Sequence, residues 1–113
     1  MYTKGTYIQS NSVSALKARL DIQPVAIAVN AGCNSFYSYS SGIYNTGCGT
    51  ALDHGVALVG YSDDYYIMRN SWGTGWGDGG YMKIAINGDG NGVSGCQMQS
   101  SFPTKSAGGH TSL

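Results

Sequence analysis

Three strand-like runs follow one another in the middle of the chain, and they constrain its fold more than any other feature. The runs occupy residues 54–61, 65–70 and 81–86 and are rich in Val, Ile, Met and Tyr. Only residues 62–64 separate the first run from the second, and so short a connection predicts a β-hairpin. Strands that follow one another in this way favour an antiparallel sheet.

A helix and a further strand are predicted before these runs. Residues 10–12 supply suitable N-cap side chains, and apolar residues at mostly helical spacing follow, which predicts a short amphipathic helix over Val13–Leu20. Pro24 ends that pattern. The continuous apolar run Val25–Val29 predicts a strand buried on both faces. Residues 30–50, rich in Gly, Ser, Asn and Tyr, are predicted to be a loop with brief extended pieces.

The composition points to the same class of fold. The chain has 113 residues, which suits one small domain, and 18 of them are Gly. All six acidic residues are Asp, and the lack of Glu disfavours a helical bundle. We therefore predict an α+β domain over residues 1–105, an antiparallel sheet or half-open β-barrel with one short N-terminal helix. A flexible tail is predicted over residues 106–113.

The charge balance excludes several classes of partner. Six Lys and Arg residues offset the six Asp residues, so the formal net charge is zero. Without a basic cluster, neither nucleic acid nor an acidic membrane surface is an expected partner. No apolar run approaches the roughly 18 residues that a membrane-spanning helix needs. The first residues also lack the charged and apolar regions of a signal peptide.

The cysteines predict a disulfide rather than a metal site. Cys33, Cys48 and Cys96 allow one disulfide and leave one thiol, and a disulfide implies an oxidising compartment. With two histidines and no C-x-x-C pair, the chain lacks the ligands of a closed zinc site. The segment Gly75 to Gly80 fits G-x-G-x-x-G, but a strand pattern follows it where a dinucleotide site requires a helix. We therefore expect no metal and no cofactor.

Two polar residues of the predicted hairpin form a candidate site. His54 begins the first strand and Asn70 ends the second, so the hairpin places them almost opposite each other. A side-chain amide beside an imidazole fixes the tautomer and the orientation of the ring without adding a charge. Trp72 and Trp76 follow at once and are expected to shield that hydrogen bond from water. The alternative is a structural polar pair beside two core tryptophans.

Two long blocks of sequence resemble a known family. They are LDHGVALVGY at residues 52–61 and NSWGTGWGDGGY at residues 70–81, which resemble the His and Asn regions of papain-like cysteine proteases. Residues 23–25 and 41–44 fall where the cathepsin L-like branch of that family carries similar residues. The resemblance covers residues 2–105. It implies only the second, right-hand domain of the two-domain papain-like fold, the domain that is rich in sheet.

The resemblance also implies roles for individual residues. His54 matches the catalytic histidine of the family, Asn70 the asparagine that orients it, and Trp72 the indole that shields the pair. The residues implied for substrate binding are Ala28, Leu52, Asp53 and Gly55. The small and apolar ones among them suggest a hydrophobic side chain at the P2 position of a peptide substrate. The resemblance further implies a disulfide between Cys48 and Cys96.

The segment that carries the nucleophilic cysteine of the family is absent from this chain. Cys33 is not expected to replace it, because it lies in a Gly- and Asn-rich loop with no helix N-terminus to activate its thiol. We therefore expect the His/Asn half of a cysteine endopeptidase that acts on peptides or proteins. Its Cys would come from a separate N-terminal half, on another chain or a removed segment, and this chain alone would be inactive.

Two further expectations follow from the resemblance to this family. The alternative function is a non-catalytic structural or binding subunit built on the same half-fold, since an unpaired half exposes a surface suited to another protein. The expected location is lysosomal, vacuolar or secreted, from the family and from the predicted disulfide.

Overall fold

The computed structural model describes residues 2–105, and the side chains of residues 6–102. In chain order, the helices and strands of this segment are β1 (Tyr2–Tyr7), α1 (Val13–Leu20), β2 (Val25–Val29), α2 (Asn34–Tyr37), β3 (Ile43–Tyr44), β4 (His54–Tyr61), β5 (Tyr65–Arg69), β6 (Tyr81–Ala85), a short 3-10 helix (Val93–Gly95) and β7 (Ser100–Lys105). The predicted tail lies outside the described residues.

The seven strands form one sheet in the order β1-β7-β2-β4-β5-β6-β3. Neighbouring strands are antiparallel except β3 and β6, which are parallel. The sheet is open, because the edge strands β1 and β3 lie at its opposite ends. The predicted α+β class and open sheet are thus confirmed. No helix among residues 2–105 is long and apolar enough to span a membrane.

Helix α1 has the bounds predicted from its caps and apolar spacing. Ser12 is its N-cap, and the Ser12 hydroxyl accepts a hydrogen bond from the Ala15 N–H at 3.2 Å. Asp89, from the loop between β6 and the 3-10 helix, accepts a hydrogen bond from the Val13 N–H at 2.9 Å, so a negative charge lies at the positive end of the helix. Leu16 points into the core and is buried.

Strand β2 also has its predicted bounds, but the prediction that both of its faces are buried is wrong. Val25, Ile27 and Val29 are buried, whereas Ala26 is exposed and Ala28 is half-buried. An antiparallel sheet can pack one face on the core and leave the other open. The outward positions of β2 are both Ala, which made the run continuously apolar although only one face packs against the core.

Five elements were not predicted, and each has a physical reason. The 3-10 helix Val93–Gly95 has only three residues, too few for a periodic pattern. Strands β1 and β7 contain Gly5 and Pro103, two residue types that are depleted in strands. Helix α2 has only four residues and strand β3 only two, too few for a periodic pattern. The bounds predicted for β5 and β6 are one residue too long at the C-terminal end.

The disulfide predicted between Cys48 and Cys96 is wrong. The structure joins Cys33 to Cys48, with their Cα atoms 5.6 Å apart, and leaves Cys96 as a buried thiol. Burial raises the pKa of that thiol to about 12. The short 3-10 helix presents Ser94 toward Cys48, where its hydroxyl accepts the Cys48 N–H at 3.0 Å. Cys96, two residues later, packs in the core instead.

Candidate active site

The hairpin of β4 and β5 brings His54 and Asn70 into contact. His54 begins β4, Asn70 follows the last residue of β5, and His54 Nε2 lies 2.8 Å from Asn70 Oδ1. The two residues are not directly opposite, however. The register pairs Ala57 with Arg69, which places Asn70 beside Val56 and His54 two positions further along β4. Two such diagonal residues on one face remain within reach of each other.

The backbone around Asn70 determines which atom carries the shared proton. Asn70 Oδ1 also accepts the Ser71 N–H at 2.7 Å, and only the amide oxygen can accept from an N–H group. His54 Nε2 therefore carries a hydrogen and donates it to Asn70 Oδ1, while Nδ1 keeps a lone pair in the neutral ring. The Asn70 N–H donates to the Gly80 carbonyl at 3.1 Å, which holds the residue in place.

One polar atom of this pair has no partner. Asn70 is 7% exposed, and its Nδ2 atom is buried without a hydrogen-bond acceptor among the described residues. An unpaired buried donor costs about 1–3 kcal/mol. Asn70 is therefore held by the bonds of its oxygen and of its backbone.

Aromatic rings cover the His–Asn pair on one side. The Trp72 ring stacks on the His54 ring, with centroids 4.9 Å apart and planes at 26°. Trp76 does not touch the imidazole but meets Trp72 edge to face at 5.3 Å, and its Nε1–H donates to the Phe36 carbonyl at 3.1 Å. Trp72 is thus the covering ring and Trp76 supports it. Phe36 and Tyr37 also contact Trp72. Neither residue was predicted to belong to the site, because the sequence gives no signal for the short helix α2 that carries them.

The residues predicted for substrate binding fall into two groups. Ala28 and Gly55 are directly paired across β2 and β4, and Val29 is paired with His54. Both small residues therefore lie beside the His54 backbone, on the open face of the sheet. Asp53 is adjacent in sequence, but its Oδ1 accepts the Ala31 N–H at 2.9 Å. Its carboxylate therefore fastens the loop that follows β2.

Leu52 lies further from the pair and packs over a glycine. A Cβ atom added to Gly95 would lie 2.7 Å from Leu52 Cδ2 and 3.0 Å from Met98 Sδ, so both side chains close over this position. Gln99 is exposed next to Ala28, and its carbonyl accepts the Ala28 N–H at 3.2 Å. Ala28 and Gln99 line a shallow recess of about 240 Å³ on the open face.

The family model described as "Papain family cysteine protease" matches residues 2–104. The chain belongs to the papain family of cysteine proteases. This papain-family chain is 44% identical over 106 residues to the "Probable cysteine protease RD21C" of Arabidopsis thaliana, covering 89% of this chain and 24% of that protein. It is 44% identical over 104 residues to the "Cysteine endopeptidase Rep1" of Oryza sativa subsp. japonica, covering 87% of this chain and 28% of that protein.

Solved structures of the papain family agree in fold. The cysteine protease CMS1MS2 of Carica candamarcensis, in complex with E-64, superposes with a TM-score of 0.87 at 45% sequence identity. The match covers 92% of this chain and 49% of that one. The chain therefore spans about a quarter of the curated relatives and half of the solved protease.

The cysteines of this papain-family chain leave no thiol free to react. Cys33 and Cys48 are bonded to each other, and Cys96 is buried with a raised pKa. The expectation that no helix begins at Cys33 is wrong, since Cys33 is the N-cap of α2, but its sulfur is held in the disulfide. Among the described residues, no three His, Cys or acidic side chains are grouped as a metal site would need.

Proposed function

We propose that this chain is the His/Asn half of a papain-like cysteine endopeptidase whose nucleophilic Cys comes from a separate N-terminal half. The observation that carries the proposal is the contact of His54 Nε2 with an Asn70 Oδ1 atom that also accepts the Ser71 N–H. The His54 Nε2–H donates to Asn70 Oδ1, which leaves Nδ1 free to take a proton. That arrangement suits a general base whose other nitrogen is held by an orienting group.

The proposed reaction uses the two histidine nitrogens differently. Nδ1 takes the proton of the partner thiol and gives a thiolate–imidazolium pair, and the thiolate attacks the peptide carbonyl carbon. His54 then returns the proton from Nδ1 to the amine that leaves. Asn70 keeps the ring oriented throughout, and Trp72, supported by Trp76, keeps water from the hydrogen bond between them.

The open face of the sheet supports the proposal of a partner half. The cross-strand partners Ser101, Ala26, Ala57, Arg69 and Tyr81 form one row across β7, β2, β4, β5 and β6. None of the five is buried, although a sheet face with small residues at its centre would pack closely against another surface. The partner thiol must come within hydrogen-bond reach of Nδ1. A half that covered this row would adjoin His54 through the neighbouring pair Ala28 and Gly55.

The substrate proposed is a peptide with a hydrophobic P2 side chain. Ala28 and Gly55, with Leu52 further along, offer a small apolar surface beside His54. Gln99 places a polar residue beside Ala28 in the same recess, so a short or medium apolar P2 side chain fits this surface best. Asp53 borders the site but keeps its carboxylate on the loop after β2.

A non-catalytic subunit is the second candidate, and one observation favours it. All three cysteines are either bonded or buried, so this chain supplies no thiolate. A binding subunit would need the open face of the sheet but would have no use for a free His54 Nδ1.

A chimeric enzyme separates the two candidates. The half of the CMS1MS2 protease that precedes the matched region is joined ahead of residue 2, and hydrolysis of a dipeptidyl fluorogenic substrate is measured. We expect hydrolysis by the chimera, and none by this chain alone or by the chimera carrying His54→Ala. A folded chimera without activity, or with equal activity after His54→Ala, would favour the binding subunit.

We further propose that residues 1–105 form one domain. We also propose that the protein is located in an oxidising compartment, either lysosomal, vacuolar or secreted. The Cys33–Cys48 disulfide supports such a compartment, since disulfides persist where thiols are not kept reduced.

A further inference from the structure

Tyr37 is an exposed aromatic residue beside the His54–Asn70 pair, and the proposed reaction gives it no part. It is 58% exposed, yet its ring stacks on Trp72 with centroids 5.2 Å apart and planes at only 12°. Trp72 in turn stacks on His54. Tyr37, Trp72 and His54 therefore form a connected series of stacked rings that ends at the imidazole.

The two tryptophans of the site are held in different ways. Trp76 is buried, and its indole N–H is bonded to the Phe36 carbonyl. Trp72 is half-buried, and within residues 6–102 its indole N–H has no acceptor. Among the described residues, ring contacts with Phe36, Tyr37, His54 and Trp76 orient the indole in place of a hydrogen bond. The ring that covers the His–Asn hydrogen bond thus depends on its aromatic neighbours.

Helix α2 gives Tyr37 a fixed position from which to hold that ring. The helix has only four residues, but its N-cap, Cys33, is joined to Cys48. Phe36 anchors it in the core and is fully buried, and the Ser38 hydroxyl donates to the Asn34 carbonyl at 2.8 Å. Tyr37 is therefore an exposed residue on an anchored element.

We propose that Tyr37 is a positioning residue for the His54–Asn70 pair and acts through Trp72. Its ring keeps the Trp72 indole over the imidazole, and the indole keeps water from the hydrogen bond between His54 Nε2 and Asn70 Oδ1. A buried hydrogen bond is stronger than one exposed to water. A role for Tyr37 in catalysis rests on the proposed function. Its effect on the hydrogen bond between His54 and Asn70 does not.

The proposal is tested on the chain itself, without any partner half. With ¹⁵N-labelled histidine, NMR measures how fast the His54 Nε2 proton exchanges with water in the wild type, Tyr37→Ala and Tyr37→Phe. Loss of the stacked ring should speed exchange by up to about tenfold, the limit for one aromatic pair, and Tyr37→Phe should stay within about twofold of wild type. Tyr7→Ala, at a residue 74% exposed that makes no contact with Trp72, is the matched control.

Three results would overturn the proposal. They are a folded Tyr37→Ala that exchanges at the wild-type rate, an equal increase in Tyr7→Ala, and a wild-type proton that exchanges too fast to observe. If Tyr37→Ala fails to fold, Tyr37→Leu keeps an apolar side chain without the ring, and the same criteria apply to it.

A double variant tests the route through Trp72. Trp72→Ala should itself speed exchange, and adding Tyr37→Ala to it should change the rate little, because residues that act as a unit are not additive. Additive increases would refute action through Trp72.

If Tyr37 only contacted substrate, Tyr37→Ala would raise KM in the chimera and leave proton exchange unchanged, which also refutes the proposal. An inactive chimera with protected exchange would count against the proposed function alone.

Discussion

At the residue scale, a backbone N–H group determines what His54 can do. The Ser71 N–H fixes the orientation of the Asn70 amide, the amide fixes the proton on Nε2, and Nδ1 keeps its lone pair. The proposed function uses Nδ1 as the reactive nitrogen. The contact between His54 and Asn70 could be predicted because counting residues from the turn places the two strand ends side by side. The register shift between Leu58 and Gly60 could not be predicted, and it brings Asn70 one residue closer to His54 than counting alone would. The orientation of the amide could not, because it depends on the turn after β5.

The first prediction concerns the unequal roles of the site residues in the chimeric enzyme. His54→Ala removes both proton transfers and should lower kcat/KM by at least roughly 10²- to 10⁴-fold. Asn70→Ala removes only the orienting bond and should retain measurable activity, and Trp72→Ala should fall near it because it exposes the same bond to water. Kinetics of the three variants, with thermal melting to confirm folding, check this order. A folded Asn70→Ala enzyme as inactive as His54→Ala would contradict it.

The second prediction concerns the buried thiol. Burial raises the pKa of Cys96 from 9.0 to about 12, so from about pH 9 the thiol ionises in the unfolded chain before it does in the folded one. Its contribution to stability is complete below pH 9 and is lost as the pH rises toward 12. The free energy of unfolding should therefore fall with pH more steeply in the wild type than in Cys96→Ala, by at most about 1.4 kcal/mol per pH unit.

Denaturant unfolding between pH 8 and pH 10 measures this difference. Burial also raises the pKa of Tyr66, and the comparison with Cys96→Ala cancels that burial effect. The further rise that a Cys96 charge gives the Tyr66 pKa is lost in Cys96→Ala and counts with the effect of Cys96. Peptide mapping afterwards checks that Cys33 and Cys48 are still joined. Parallel pH dependences of the two proteins would mean that Cys96 is not buried as a neutral thiol.

At the element scale, local signals predicted α1, β2 and β4 with their bounds, and β5 and β6 to within one residue. The other elements carry no local signal and depend on tertiary contacts. Helix α1 has a cap at Ser12 and apolar spacing, and β2 and β4 are long enough to show a strand pattern. Helix α2 has neither feature and exists because Phe36 is buried and Cys33 is bonded. The wrong disulfide has the same origin, since nothing local shows that Ser94 faces Cys48 while Cys96 turns inward.

The third prediction concerns this disulfide. It closes a loop of 15 residues, for which the chain-entropy estimate is about 3 kcal/mol of stability. The double variant Cys33→Ser/Cys48→Ser should lose roughly that amount, measured by urea unfolding, while the native wild type should show no alkylated cysteine without denaturant. A Cys48–Cys96 bridge in the peptide map, or an unchanged stability, would rule out this pairing as a structural bond.

At the scale of the whole molecule, the sheet has one face on the core and one face that residues 6–102 leave uncovered. Arg69 is the charged member of the cross-strand row on that open face, and no acidic side chain within residues 6–102 forms an ion pair with it. A partner that covers the row must therefore accommodate an unpaired guanidinium, most simply with a carboxylate.

The fourth prediction tests that complementarity. Arg69→Glu should weaken association of this chain with a Cys-bearing half by about tenfold or more in Kd, and added salt should weaken the wild-type complex. Arg19→Glu makes the same change of charge in helix α1, where the Arg19 guanidinium packs over the Phe102 ring. This control substitution should leave the Kd unchanged. Equal effects of the two substitutions would show that only net charge matters.

The pairing of β1 with β7 affects how this domain can be joined to other segments in a larger protein. Tyr2 lies opposite Lys105 in that antiparallel pair, so the backbone enters and leaves the domain at one place. Domains whose ends meet in this way tolerate circular permutation and insertion into other chains. A second half attached before residue 2 or after residue 105 would therefore start from the same corner of the sheet.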